Sequence, residues 1–225
     1  MSEYRPQNLA FLLVLGAVLC AAVASLFYEV LWISQLGFSL GSTAIATSIM
    51  LSAFLGGLAI GSSAMGRRSD ALKHPARVFG VVELIAVVIG LASIPALGAA
   101  GRAYVFLATH WDLTGSAALA MRGVFSLVVM LIPAIIFGMT FPLATALAGR
   151  LVAAQTAAGS VSAVSSFGSA AGALICGLWL APLLGITRTS FIAAGFNLAA
   201  AALAFSVAWL VARTEQRSPR RRGPA

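Results

Sequence analysis

The stretch NLAFLLVLGAVLCAAVASLFYEVLW, residues 8–32, decides the fold. It opens a run from Asn8 to Gly57 whose only charge is Glu29. A spanning helix needs about 20 mostly apolar residues, and this stretch supplies them. A carboxylate inside a bilayer costs roughly 2.5 kcal/mol or more at the helix centre, so Glu29 calls for a partner or a task.

The whole chain repeats that character. Of 225 residues, 60% are hydrophobic and 9% charged, and mean hydropathy is +1.00. Soluble domains are about a quarter charged. A soluble core of this size cannot bury so much apolar surface behind so little polar surface, so the reading is an all-α integral membrane protein. The first apolar run is too long for a secretory signal and ends in Tyr28, Glu29 and Trp32 rather than a cleavage site.

Six spans are expected, at about 8–36, 42–66, 77–100, 122–148, 157–184 and 187–212, within a membrane domain over 1–212. Residues 213–225 form a basic tail. The segment 101–121 carries Arg102, Tyr104, Phe106, His110, Trp111 and Asp112. It reads as an interfacial helix plus loop with its aromatics at headgroup level.

With six spans, Arg5, Arg67, Arg68, Lys73, Arg77, Arg150, Arg213, Arg217, Arg220, Arg221 and Arg222 share one side. Only Arg102, Arg122 and Arg188 take the other. The positive-inside rule then puts both termini in the cytoplasm of a bacterial-type inner membrane. The net charge of +8 is thus mostly a topology signal. The basic tail suits anionic lipid, and it lacks the aromatics that a nucleic-acid surface uses to stack bases.

Several positions invite function. Gly57 and Gly61 in the second span, and Gly168 and Gly172 with Cys176 in the fifth, put small residues one turn apart. Such faces let helix backbones approach, either within one bundle or at a dimer or docking surface. The second and fifth spans also hold equivalent places in a three-plus-three arrangement, a sign of an internal inverted repeat. Pro133, Gly138 and Pro142 predict a kinked or locally unwound fourth span, with Thr140 placed to serve a freed carbonyl.

Glu83 falls about 9 Å in from Arg77, and Glu29 about 30 Å from the start of its helix, so the two do not form an acid pair. Pairing with arginines is the structural expectation for each: Arg102, Arg122 or Arg188 for Glu29, and Arg67, Arg68 or Arg77 for Glu83. Contact with a cation or a proton is the functional one. Asn197, about 14 Å past Arg188, reads as a midplane hydrogen bond between helices. Cys20 and Cys176 sit in apolar stretches. His74 and His110 fall on opposite sides, and neither a nucleotide motif nor a cluster of metal ligands appears. No cofactor and no catalytic residue are expected.

The chain resembles the membrane domain of bacterial spermidine synthase-like proteins, in which a major-facilitator-like part is fused to a synthase. The resemblance rests on Tyr28-Glu29-Val30-Leu31-Trp32 with Leu36, on Ala53 to Ser62, and on Glu83-Leu84. Pro133, Gly138, Thr140 and Pro142 continue it, as do Gly168, Gly172, Gly177 and Pro182 to Gly185. Gly66, Arg67, Asp70 and Arg77 are similar to the loop between the second and third helices of major-facilitator transporters, of which six helices make half.

The departures are Ser34, where the family has Arg, and Ser162 and Ser165 in place of Tyr and Asn. The family's soluble Rossmann-like domain, which binds decarboxylated S-adenosylmethionine, has no counterpart up to Ala225, so these residues are not expected to be an enzyme. The favoured reading is a non-catalytic accessory or structural module that docks to a membrane partner or a second copy through its small-residue faces. The alternatives are a half-size transporter for a small cation such as a polyamine, working as a homodimer, and the membrane subunit of a split aminopropyltransferase.

Overall fold

The computed structural model describes residues 4–40, 43–111 and 114–217. Within them the chain is helix joined by short turns, with no strand. The helices are α1 (Tyr4–Leu40), α2 (Thr43–Ser69), α3 (Pro75–His110), α4 (Gly115–Gly149), α5 (Ala154–Ile175) and α6 (Ala181–Arg217), with a π-helical turn, Cys176–Leu180, between the last two. Gly41, Ser42, Asp112 and the tail arginines Arg220, Arg221 and Arg222 lie outside the described residues.

Large apolar side chains cover the outside of every helix. Leu12, Leu55, Val88, Ile132, Phe167 and Phe191, one from each, are all more than half exposed. Patches of this extent on every side suit lipid rather than water. Five stretches are long and apolar enough to cross a membrane: Gln7–Phe38, Thr47–Ser69, Pro75–His110, Gly115–Gly149 and Ala154–Thr214.

The fifth stretch is 61 residues, about 90 Å if straight and roughly three times a hydrocarbon core. It folds back on itself. Before Gly185, Gly168, Gly172 and Cys176 advance along α1 beside Leu19, Val23 and Phe27. After it, Ser190, Phe196 and Leu203 retreat beside Tyr28, Phe27 and Gly16. Gly185 makes the reversal with φ 76° and ψ 171°, a region open to glycine at little cost. The Thr189 hydroxyl then spans the carbonyls of Leu180 (3.1 Å) and Gly185 (2.8 Å) across the bend.

Two corrections concern the middle of the chain. The segment 101–121 does not form a helix of its own: α3 continues through His110, and α4 begins at Gly115, where φ is +59°. Most of its polar groups, Arg102, Thr109 and His110 among them, are exposed and cost the helix little. Secondly, α4 is not unwound at its prolines and stays helical through Pro133 and Pro142.

The six helices pair in a symmetrical pattern. Among the described residues, α2 packs on α4 as α5 packs on α1; α6 packs on α1 as α3 packs on α4; and α3 meets α6. Exchanging α1–α3 with α4–α6 leaves this pattern unchanged. The glycines follow the same exchange. A Cβ on Gly57 or Gly61 would overlap Ala134 or the Ile135 carbonyl of α4, and one on Gly138 would lie 2.6 Å from the Leu58 oxygen. Across the pseudo-two-fold, a Cβ on Gly168 or Gly172 would lie 3.0 and 2.9 Å from the carbonyl oxygens of Leu19 and Val23 on α1. Successive contacts ascend both helices together in each case, so α2 is parallel to α4 and α5 to α1. Since α2 turns back on α1, the two triplets run in opposite senses.

These contacts use the small-residue faces inside the chain, not at an outer docking surface. Gly61→Val therefore forces α2 from α4 and should cost about 1–3 kcal/mol or more, read as a lowered thermal midpoint in mild detergent. Gly195→Ala meets nothing within 4 Å and should hold or raise that midpoint. Equal midpoints for Gly61→Val and the unmodified chain would show that this contact does not set the fold.

Candidate functional site

The symmetrical pairing leaves a cavity of about 270 Å³ among α1, α2, α4 and α5. Its walls come from equivalent positions in the two triplets. Ala22, Ser25 and Leu26 of α1 line it opposite Phe137, Thr140 and Phe141 of α4. Phe54, Leu58 and Ser62 of α2 line it with Ser165 and Ser169 of α5. Among the described residues α2 and α5 make no substantial contact, so the cavity opens between them.

Every polar group on this lining is a hydroxyl. Ser25 donates to the Ala22 carbonyl (3.0 Å) and Thr140 to the Phe137 carbonyl (2.7 Å), the same bond in the two halves. Ser62 donates to the Gly138 carbonyl at 2.8 Å. Pro142 has no N–H for the carbonyl four residues before it, which is Gly138, and Ser62 fills that gap from the neighbouring helix. Sequence reasoning gave this task to Thr140, which serves Phe137. With their protons committed, these three oxygens face a guest as acceptors.

Glu83 and Asn197 come together outside the cavity. Asn197 Nδ2 donates to Glu83 Oε2 at 2.7 Å, and both residues are fully buried where α3 meets α6. They are 114 residues apart, close to the chain separation of Gly57 from Gly168 and of Ser25 from Thr140. The pair therefore joins equivalent positions of the two triplets. The partner of Glu83 is an amide, not Arg67, Arg68 or Arg77. Phe79, one turn earlier on α3, lines the cavity, whereas Glu83 does not.

Glu29 is partly exposed, one turn past Ser25 and Leu26 on α1, and among the described residues no charged group pairs with it. Its motif neighbours are core. Tyr28, Leu31 and Trp32 are fully buried, and Trp32 Nε1 donates to Ser93 Oγ of α3 at 2.8 Å. Phe137 packs within 6.1 Å of both the Tyr28 and Trp32 rings. This cluster locks α1 to α3 and α4.

Gly66, Arg67, Asp70 and Arg77 are exposed and do not line the cavity. The turn between α2 and α3 is held instead by Arg150, whose guanidinium donates to the carbonyls of Asp70, Leu72 and Lys73. Cys176 packs against α1, its thiol 3.7 Å from the Phe27 carbonyl. Arg213 stacks 3.6 Å over the Trp209 ring at the end of α6. Among the described residues no group of three or more His, Cys, Asp or Glu gathers to hold a metal.

Sequence reasoning missed Ser25, Ser62, Ser165, Ser169 and Arg150. The repeat register carried a signal for one of them, since Ser25 is the hydroxyl equivalent to Thr140 on the equivalent helix. Compared with known proteins, the chain matches no family model, and no curated protein or solved structure is significantly similar to it.

Proposed function

We propose that the chain is a six-pass membrane carrier unit, made of two inverted three-helix repeats, whose hydroxyl-lined cavity binds a small solute rich in hydrogen-bond donors. An amine in its ammonium form is the solute type that oxygen acceptors without fixed positive charge favour. The single observation behind this reading is the cavity's place: the symmetry-equivalent hydroxyls Ser25 and Thr140 face one space between the repeats. Inverted repeats with a site at their interface are the recurring design of secondary transporters.

The reversal at Gly185 supports a sixth pass, since it returns α6 along α1. Both termini then lie on one side, and the arginine distribution favours the cytoplasm of an inner membrane. The opening between α2 and α5 favours a pair of copies with their cavities face to face, as in a half-size transporter. The accessory-module reading drew on docking through Gly57, Gly61, Gly168 and Gly172, and those faces are filled by α4 and α1.

Topology is checked by reporters fused to each terminus in cells. Both should report the same side, whereas opposite sides would mean an odd number of passes. Cavity access is checked in a chain with Cys20 and Cys176 replaced by alanine. Ser165→Cys should react with a small methanethiosulfonate, while Ala204→Cys, 1% exposed, should not; equal reactivity would remove the cavity from the argument.

Carriage is checked with radiolabelled ethanolamine in reconstituted vesicles. The unmodified chain should raise uptake over empty vesicles, and Ser25→Ala with Thr140→Val should lower it about tenfold or more, since each hydrogen bond to a charged group contributes about 1.5 kcal/mol or more. Uptake equal to that of empty vesicles would overturn the proposal for ammonium solutes.

A further inference from the structure

The contact between α3 and α6 holds an arrangement that is incomplete as a carboxylate. Glu83 Oε2 accepts from Asn197 Nδ2 at 2.7 Å, yet Glu83 Oε1 and Asn197 Oδ1 are buried and have no hydrogen-bond partner. Both side chains are 0% exposed. An ionised Glu83 therefore has one donor for its charge, and the amide oxygen has none. Leaving such groups unmatched away from water costs roughly 1–3 kcal/mol each, and more for a charge.

The two orphans lie on the two side chains that already share a bond, and both are acceptors. One proton on Oε1 turns the first into a donor and gives the second its partner. A carboxylic acid and a primary amide then close a ring of two hydrogen bonds, with all four polar atoms matched.

We propose that Glu83 and Asn197 form a proton-binding site, in which Oε1 carries a proton taken from water and donates it to Asn197 Oδ1. Loss of that proton returns it to water and leaves two unmatched oxygens between α3 and α6, where the two repeats join. The site is thus a proton-dependent clasp between the halves, and it stands whether or not the axial cavity carries a solute.

Among the described residues, no ion pair to Glu83 is found. On α1 the ionisable group within electrostatic range is the Cys20 thiol. On α6 the facing group is Asn197 itself. Along α4 the sequence has no carboxylate, lysine or histidine, and its single arginine, Arg122, is near the start of that helix. On α3 the basic residues are Arg77 (six positions before Glu83), Arg102 and His110, all exposed. A hard cation needs about six oxygen ligands, and the two orphan oxygens fall well short. A proton needs only those two.

Infrared spectroscopy of the full chain in lipid vesicles at neutral pH tests this. The C=O stretch of a protonated carboxyl should be present, shift in heavy water, and survive Glu29→Gln. Glu83→Gln should abolish it. Asn197→Ala keeps the acid but removes its acceptor, and should move the band to higher frequency; this variant also decides the matter if Glu83→Gln does not fold. No protonated-carboxyl band in the unmodified chain overturns the proposal. A band that Glu83→Gln leaves in place, or that Asn197→Ala leaves unmoved, overturns it as well.

Discussion

Backbone-to-backbone contact at four glycines is the constraint from which the arrangement follows. Lipid tails are as apolar as leucine, so helices inside a bilayer gain nothing by merely hiding apolar surface from one another. They associate where close contact and hydrogen bonds are available. Gly57 and Gly61 allow that for α2 on α4, and Gly168 and Gly172 for α5 on α1. Each contact joins one triplet to the other. The halves are therefore interlocked, α1 and α4 are shared between them, and the cavity arises on the axis.

The polar groups follow the same logic. In a low-dielectric interior an unmatched donor or acceptor is costly, and three polar contacts here are made from one helix to another. Ser62 serves the carbonyl that Pro142 frees, and α4 stays helical there. Trp32 reaches Ser93, which itself bonds the Gly90 carbonyl at 2.6 Å. Asn197 reaches Glu83, where the matching is half complete and a proton finishes it. Ser62 and Asn197 thus tie one triplet to the other, and Trp32 ties α1 to α3 within the first.

Glu83 and Asn197 were each legible as intramembrane polar residues, and Gly57, Gly61, Gly168 and Gly172 as packing positions. Their partners were not. Counting from opposite ends of two helices gives Glu83 and Asn197 a depth but no azimuth, so their meeting depends on α3 lying against α6. The same holds for Ser25 and Ser62, ordinary in sequence and polar walls of a cavity in space. Residues 101–110 were misread for a different reason. Their polar side chains suggested an interface, but polarity at one exposed end does not stop a helix, and α3 runs on to His110.

By itself the sequence determined the class of protein, the helical stretches and the uneven distribution of arginine. These follow from hydropathy over about 20 residues and from charge, both properties of neighbours along the chain. Only the tertiary structure decided that the stretch Ala154–Thr214 folds back at Gly185, that the glycine faces are used inside the chain, and that two acceptors meet around one missing hydrogen. Each is a contact between residues far apart in sequence. Which helix face meets which is set by close packing in three dimensions, and hydropathy in a bilayer carries no record of it.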